Sequence, residues 1–383
     1  MKPGSRIAKS ALPAALALSA ALALLAAACA RGPDLSARVD ALMQAYQGGV
    51  PGAAVLVLRD GVPLLRRGYG LAYLEQQVPV TPATDFRLAS MTKQFTAAAV
   101  LALSAAGRLS LEDRAQKWLP ELPPAAEAVT LRQLLTHTAG LIDYEDLIPA
   151  DATQQVHDAD VLRLLAAENR TYFTPGSAYR YSNSGYALLA LVVERASGKS
   201  FAQFLHDRIF APLGMTGTLA YEAGVSEVPR RAFGYSAGAS GWLRTDQSLT
   251  SAVLGDGGVY SSIDDLAKWD AALYDSRLLP QQLLQQAFSP ATTTDDPQVA
   301  YGFGWRISGE TLWHSGETLG FRNVIVRWPR RHCTVIVLTN RDAPEPYPLA
   351  LAIASLYLPD AATVHAAAGA AGPAAESRPL PQR

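Results

Sequence analysis

The sequence predicts an α+β fold: one antiparallel sheet built from both chain ends and flanked by helices, with a mostly helical domain inserted between them. Three observations predict it. Strand-like runs occur early, at Ala53 to Arg59 and Val62 to Tyr69, and again late, from Tyr301 to Thr339. From about residue 109 to 290 helical patterns, loops and turns replace them. A long apolar helix opens near Ser90, where the first strands give way to the helical block. A sheet drawn from both ends and covered by helices accounts for this order.

Met1 to Cys29 reads as an export signal. Lys2, Arg6 and Lys9 give a basic start, Ala11 to Ala28 is an apolar run, and small residues follow. Ala28-Cys29-Ala30 fits ordinary signal cleavage, while Leu25-Ala26-Ala27-Ala28-Cys29 resembles a bacterial lipobox with its Leu one place early. An unpaired Cys ending an apolar signal favours lipidation of Cys29. The expected location is the periplasmic side of a bacterial membrane, held by that lipid anchor. Residues 30–360 are expected to form the folded domain, and the Ala/Gly/Pro-rich tail 361–383 reads as disordered.

Leu35 to Gln47 looks like an amphipathic helix ending before Gly48-Gly49. Asp60-Gly61 between two apolar runs signals a hairpin. The run Gln94 to Ala106 is rich in Ala and Leu, lacks Pro and stops at Gly107, so it reads as a buried helix with Ser90 at or near its first turn. Further helices are expected at Val129 to Leu135, Asp160 to Ala167, Tyr186 to Ala196, Phe201 to Ile209 and Leu266 to Tyr274. Ser262-Ile263-Asp264-Asp265 resembles a capping box for the last of these. Strands are expected at Tyr301 to Ile307, Thr311 to His314, Phe321 to Trp328 and Cys333 to Thr339, with a closing helix at Leu349 to Tyr357.

Composition narrows the function. The chain has 383 residues, 49% hydrophobic and 17% charged, with formal net charge −1, which suits a large enzyme and offers no basic stripe for nucleic acid. Two Cys, Cys29 and Cys333, make neither a disulfide framework nor a zinc site, and Cys333 in a strand-like run reads as a buried small hydrophobe. The six His are scattered without metal-ligand spacing, and Gly255-Asp256-Gly257-Gly258 lacks the Lys of a phosphate loop. No cofactor or metal is expected.

The chemistry concentrates in three stretches. In Ser90-Met91-Thr92-Lys93 the two polar side chains share one helix face. A lysine near the start of a buried helix loses its proton more easily, and a neutral amine can take one from serine. Tyr181-Ser182-Asn183 precedes an apolar helix. A phenol beside an ammonium can be held partly as phenolate and accept a proton, and an Asn amide can donate to a substrate carbonyl and accept from lysine. His314-Ser315-Gly316-Glu317 ends a strand. Its backbone can supply an oxyanion donor, Gly316 can admit a substrate's backbone, and His314 can offer a hydrogen bond or charge to substrate. Gly234-Tyr235-Ser236-Ala237-Gly238 matches a nucleophile elbow in letters, but its flanks are neither a strand nor a helix, so it reads as a loop.

S-x-x-K, Y-x-N and H-x-G in this order resemble the serine β-lactamase and penicillin-binding superfamily, in its class C β-lactamase-related branch. Leu134-Leu135-Thr136-His137-Thr138-Ala139-Gly140-Leu141 and His314 to Phe321 add to the likeness, which spans roughly Leu35 to Leu358. The resemblance implies a β-lactamase/transpeptidase-like fold. It implies Ser90 as the acylated nucleophile, Lys93 as its proton partner, Tyr181 as general base and Asn183 as the substrate-positioning amide. His314, Ser315 and Gly316 match the third motif, and the backbone N–H groups of Ser90 and Glu317 the oxyanion hole. His137 reads as structural. The branch's β-lactamases carry Lys-Thr-Gly at the third motif, so His314 and Ser315 weigh against strong β-lactamase activity. The expected function is hydrolysis of amide or ester bonds in D-amino-acid peptides, small esters or β-lactams. The alternatives are a penicillin-recognising sensor that is acylated without efficient turnover, and a hydrolase using Ser236.

Overall fold

The computed structural model describes Met1 and residues 35–358. The signal, Cys29 and the tail beyond 360 lie outside them. Contacts divide the chain after Leu42. Within the first unit, helix α1 (Leu35–Leu42) buries Val39. The second unit begins at Met43.

Its frame is an eight-stranded antiparallel sheet. The strands are β1 (Ala53–Arg59), β2 (Val62–Tyr69), β3 (Thr292–Thr293), β4 (Ala300–Tyr301), β5 (Arg306–Ser308), β6 (Thr311–Thr318), β7 (Phe321–Trp328) and β8 (Cys333–Thr339), in spatial order β3-β4-β5-β6-β7-β8-β1-β2. The chain ends meet where β8 pairs with β1, Thr339 opposite Ala53. β1 and β8 are apolar on both faces and almost wholly buried. That suits central strands covered by helices on both sides. Asp60 and Gly61 take positive φ, 51° and 76°, as a two-residue hairpin requires. β2 holds Pro63 and a register shift opposite Val57/Leu58, both tolerated on this edge strand. Cys333 is a buried free thiol.

The expected strand Tyr301 to Ile307 is broken. Gly302-Phe303-Gly304-Trp305 makes a turn between β4 and β5, with Gly302 N donating to Trp305 O at 2.8 Å. Gly304 has φ +74°, and a Cβ there would lie 2.7 Å from the Lys93 carbonyl. The glycine turn therefore exists to let the sheet approach the Lys93 backbone.

The helices that position the site are α2 (Lys93–Ala105), α3 (Asp158–Ala166), α4 (Asn183–Ser197) and α5 (Ile263–Ala272), with α6 (Tyr347–Tyr357) closing the fold. α2 packs against α4 and the short helix Leu254–Gly257. Gly255 lets the short helix pack on α4, because a Cβ would meet the Tyr186 carbonyl at 2.2 Å. The Asp158 carboxylate accepts from Leu254 N and Gly255 N at 2.8 and 3.0 Å, fixing the short helix from below. Ser262 caps α5 through Asp265 N. The Asp265 carboxylate does not complete the box; it accepts instead from Gly217 N at 2.8 Å.

α5 is fastened to the sheet by a buried ion pair. Arg327 Nε on β7 donates to Asp270 Oδ1 at 2.6 Å, and Thr334 Oγ1 on β8 donates to the same oxygen at 2.8 Å. Both charged side chains are buried. Removing one partner of such a pair strands the other charge in the interior. Asp270→Ala is therefore expected to lower the unfolding free energy by about 3–5 kcal/mol in urea titration. A loss under about 1 kcal/mol, the size of a surface pair, would remove this pair's structural role.

Candidate active site

The Ser90 turn begins where a small strand, Phe86–Arg87, pairs with Val259–Ser261. Ser90 lies in a 3₁₀ turn, Ala89–Thr92, and α2 begins only at Lys93. Ala89 has φ +49°, a left-handed backbone that a non-glycine residue adopts only where its surroundings impose it. One such constraint comes from β6. A Cβ on Gly316 would sit 2.0 Å from the Leu88 carbonyl, so this glycine brings β6 directly onto the serine turn. The expectation that Gly316 makes room for a substrate's backbone is thereby corrected: the space is filled by the chain's own Leu88.

Lys93 is fully buried. Its Nζ donates to Ser90 Oγ at 3.0 Å, to Asn183 Oδ1 at 2.8 Å and to the Asp256 carbonyl at 3.1 Å. It lies 4.9 Å from the Tyr181 ring centre and 5.5 Å from that of Tyr186. Burial pulls its pKa down to about 8, against the opposing pull of Asp256, Asp143 and Glu145; the Arg306 charge adds to the lowering. Lys93, Ser90, Tyr181 and Asn183 are thus brought together from two helices, a 3₁₀ turn and a loop.

Asn183 opens α4, three residues earlier than the apolar pattern suggests, because Ser182 caps the helix by accepting from Gly185 N. Besides accepting from Lys93, its amide donates from Nδ2 to Glu145 Oε1 at 3.0 Å, and its backbone N–H donates to Asp143 Oδ2 at 2.9 Å. The Asp256 carboxylate accepts from the Tyr144 hydroxyl at 3.0 Å, and burial raises its pKa to about 7. Asp256 was read only within a glycine stretch that lacks a phosphate loop's Lys, and Asp143, Tyr144 and Glu145 escaped the sequence reading. Their only local signal is the acidic turn just beyond Gly140.

His137 is structural, as read. Its Nδ1 accepts from Ser182 N at 3.1 Å and its carbonyl from Arg180 N at 3.0 Å. These bonds bracket Tyr181, whose ring centre lies 4.3 Å from that of His137.

His314 departs from expectation. It is buried, 1% exposed, rather than open to a substrate. Its Nδ1 faces the Ser315 carbonyl at 2.6 Å and so carries the proton, while Nε2 accepts from the Tyr301 hydroxyl at 2.9 Å. Burial, reinforced by the Arg306 charge, holds its pKa well below the usual imidazole value. Both ring nitrogens are taken up inside the protein, so the reading of His314 as a charge or hydrogen bond for substrate is corrected. Ser315 is half-buried on the same strand, which continues to Thr318 instead of ending at His314.

Ser90, Glu145, Asn183 and Glu317 line one small cleft of about 40 Å³, together with Arg87 and Thr318. The Ser236 stretch is a hairpin strand, Tyr235–Gly238, turning back into Gly241–Arg244, so no helix follows it. Ser236 Oγ is hydrogen-bonded to Thr245 Oγ1 at 2.6 Å.

The family model described as Beta-lactamase matches residues 35–357 of this chain. The chain belongs to the beta-lactamase family. This family member is 32% identical to Penicillin-binding protein 4* of Bacillus subtilis (strain 168), over 79% of this chain and 71% of that protein. It is 30% identical to D-aminopeptidase of Gluconobacter oxydans (strain 621H), over 80% of this chain but only 58% of the longer enzyme. Its fold matches an octameric penicillin-binding protein homologue from Pyrococcus abyssi with TM-score 0.75 and 26% identity, covering 85% of this chain and 77% of that one.

The His314 assignment is open to direct test. Its imidazole is expected to stay neutral, protonated on Nδ1, across the range in which a free imidazole titrates, because burial holds its pKa well below the free value near 6.5. Nitrogen chemical shifts of labelled histidine, assigned with His314→Gln, would report this. A titration step between pH 6 and 7 would contradict the buried geometry.

Proposed function

We propose that this chain is a serine hydrolase that cleaves amide or ester bonds through an acyl-enzyme on Ser90. The observation that carries the reading is the fully buried Lys93 ammonium 3.0 Å from Ser90 Oγ. The named relatives support serine hydrolase activity in general, and the rest is our reading of the site.

In its neutral form Lys93 accepts the Ser90 proton as Oγ attacks the substrate carbonyl. The negative charge that develops on the carbonyl oxygen is met by the backbone N–H groups of Ser90 and Glu317, whose residues line the same cleft. Tyr181, beside Lys93, relays the proton to the leaving amine or alcohol as the tetrahedral adduct collapses to the ester of Ser90. Water then attacks that ester, gives up a proton to the same pair, and Oγ leaves with a proton restored. Asn183 fixes Lys93 on one side, and its link to Glu145 holds the cleft wall on the other.

The substrates we assign are peptides and amides of D-amino acids and small esters. The name of one relative, D-aminopeptidase, favours D-amino-acid substrates, and a neutral, buried His314 in place of the third-motif lysine disfavours efficient β-lactam hydrolysis. We further propose that the chain is exported and lipidated on Cys29. A mature N-terminal peptide carrying acyl chains on Cys29 is the expected mass-spectrometric result; an N-terminus at Arg31 would mean ordinary cleavage.

Ser90→Ala is expected to abolish covalent labelling by activated esters or penicillins while circular dichroism stays native. Labelling that persists and maps to another serine would overturn the mechanism. With a pKa of about 8, Lys93 becomes neutral as pH rises. The kcat/KM of the wild type should therefore climb through an inflection near pH 8 and fall away below it, with that inflection absent in Lys93→Ala.

A further inference from the structure

We propose that Arg306 is a positioning residue of the hydrolase's proton relay: its fixed positive charge beside Tyr181 drives the proton held by Lys93 outward to the leaving group. The proposal rests on the hydrolase reading above and adds to it the group that gives the relay its direction.

Arg306 sits on β5, paired with Tyr301 on β4 and with Trp313 on β6. Gly304, seated on the Lys93 carbonyl, lies just before it in the chain, so the turn that bears on Lys93 also delivers Arg306. The side chain is buried, 8% exposed. Its guanidinium carbon lies 5.5 Å from the Tyr181 ring centre and 5.4 Å from that of Trp313. Lys93 Nζ lies against the same Tyr181 ring at 4.9 Å. The phenol thus has two cations beside it, and they differ in kind. Lys93 must be neutral to accept the Ser90 proton and becomes charged on doing so. Arg306 keeps its charge throughout.

That difference matters when the tetrahedral adduct collapses. The bond from the carbonyl carbon to the leaving nitrogen or oxygen breaks, its electron pair goes to the leaving atom, and the Tyr181 hydroxyl supplies the proton. The phenolate left behind takes the proton of the Lys93 ammonium, which returns to the neutral amine. A fixed cation favours both transfers, because it attracts the phenolate and repels the ammonium. Neighbouring groups feel the same influence. Burial holds Lys93, His137 and His314 toward their neutral forms, and the Arg306 charge adds to it at all three. At the Tyr301 phenol burial opposes the anion, while the Arg306 charge favours it. Asp256, Asp143 and Glu145 pull the other way on Lys93. The uncharged rings of His137, Tyr186, Tyr301 and His314 complete the surroundings of amine and phenol.

The test compares the p-nitrophenyl ester of N-acetyl-D-alanine, whose leaving group departs without a proton, with the methyl ester of the same acyl group, whose leaving oxygen must take one. kcat/KM, which reports acylation, is followed across pH to the plateau above the Lys93 inflection. On that plateau Arg306→Met is expected to lose about tenfold or more on the methyl ester and less than about threefold on the p-nitrophenyl ester. Arg306→Lys should restore most of the methyl-ester rate. In a Tyr181→Phe background Arg306→Met should cost the methyl ester little further, because the relay it serves is already gone. The inflection, near pH 8 in the wild type, should move to higher pH in Arg306→Met, since Lys93 then holds its proton more firmly. Equal losses on the two esters, or an inflection that stays in place, would mean a structural role and overturn the proposal. If Arg306→Met does not fold, Arg306→Gln, also uncharged, carries the same expectations. Failure of the hydrolase reading looks different, as a wild type that forms no Ser90 adduct and cleaves neither ester, and the proposal then falls with it.

Discussion

A lysine without access to water is the constraint on which this structure depends. An ammonium taken from solvent must find an acceptor for each N–H or give up its proton. Lys93 does some of both. Its three acceptors come from the serine turn, from the start of α4 and from the Asp256 carbonyl, and its affinity for the third proton is weakened by burial. Each acceptor is held in turn by groups further out: Asp143 and Glu145 hold Asn183, Asp158 holds the short helix carrying Asp256, and β6 presses on the turn carrying Ser90. The polar interior around the site is a set of supports for one amine.

Much of this was legible in the sequence because it is local. The pairing of Ser90 with Lys93 follows from a helical spacing of three, and the Asp60-Gly61 hairpin from two residues that tolerate positive φ. Tyr181 and Asn183 could be found because they flank the cap of an unmistakable apolar helix. The antiparallel sheet joining both chain ends was likewise readable from where the strand runs fell.

What the sequence concealed depends on approach between distant segments. His314 looked like a strand end facing substrate, but Tyr301 reaches it from across the glycine turn, and that contact is set by the sheet. Gly316 looked like an opening for substrate, whereas its missing side chain accommodates a carbonyl more than two hundred residues earlier in the chain. The acidic residues at 143, 145 and 256 gave no periodic signal, since their partners lie about forty to more than one hundred residues away. The strand expected over Tyr301 to Ile307 failed for the same reason: its break serves contact with Lys93.

The seating of Gly316 on the Leu88 carbonyl has a consequence for how such a site can diversify. The serine turn and the strand bearing Glu317 touch without an intervening side chain, so the Ser90 turn and the neighbouring backbone behave as one rigid part. The walls are made otherwise. Glu145 stands on a short 3₁₀ turn and Thr250 on a loop, where backbone changes disturb little else. On the proposed mechanism, reaction and selectivity therefore reside in mechanically separate pieces. Laboratory evolution confined to the wall segments can explore new acyl and leaving groups while the reacting core keeps its geometry.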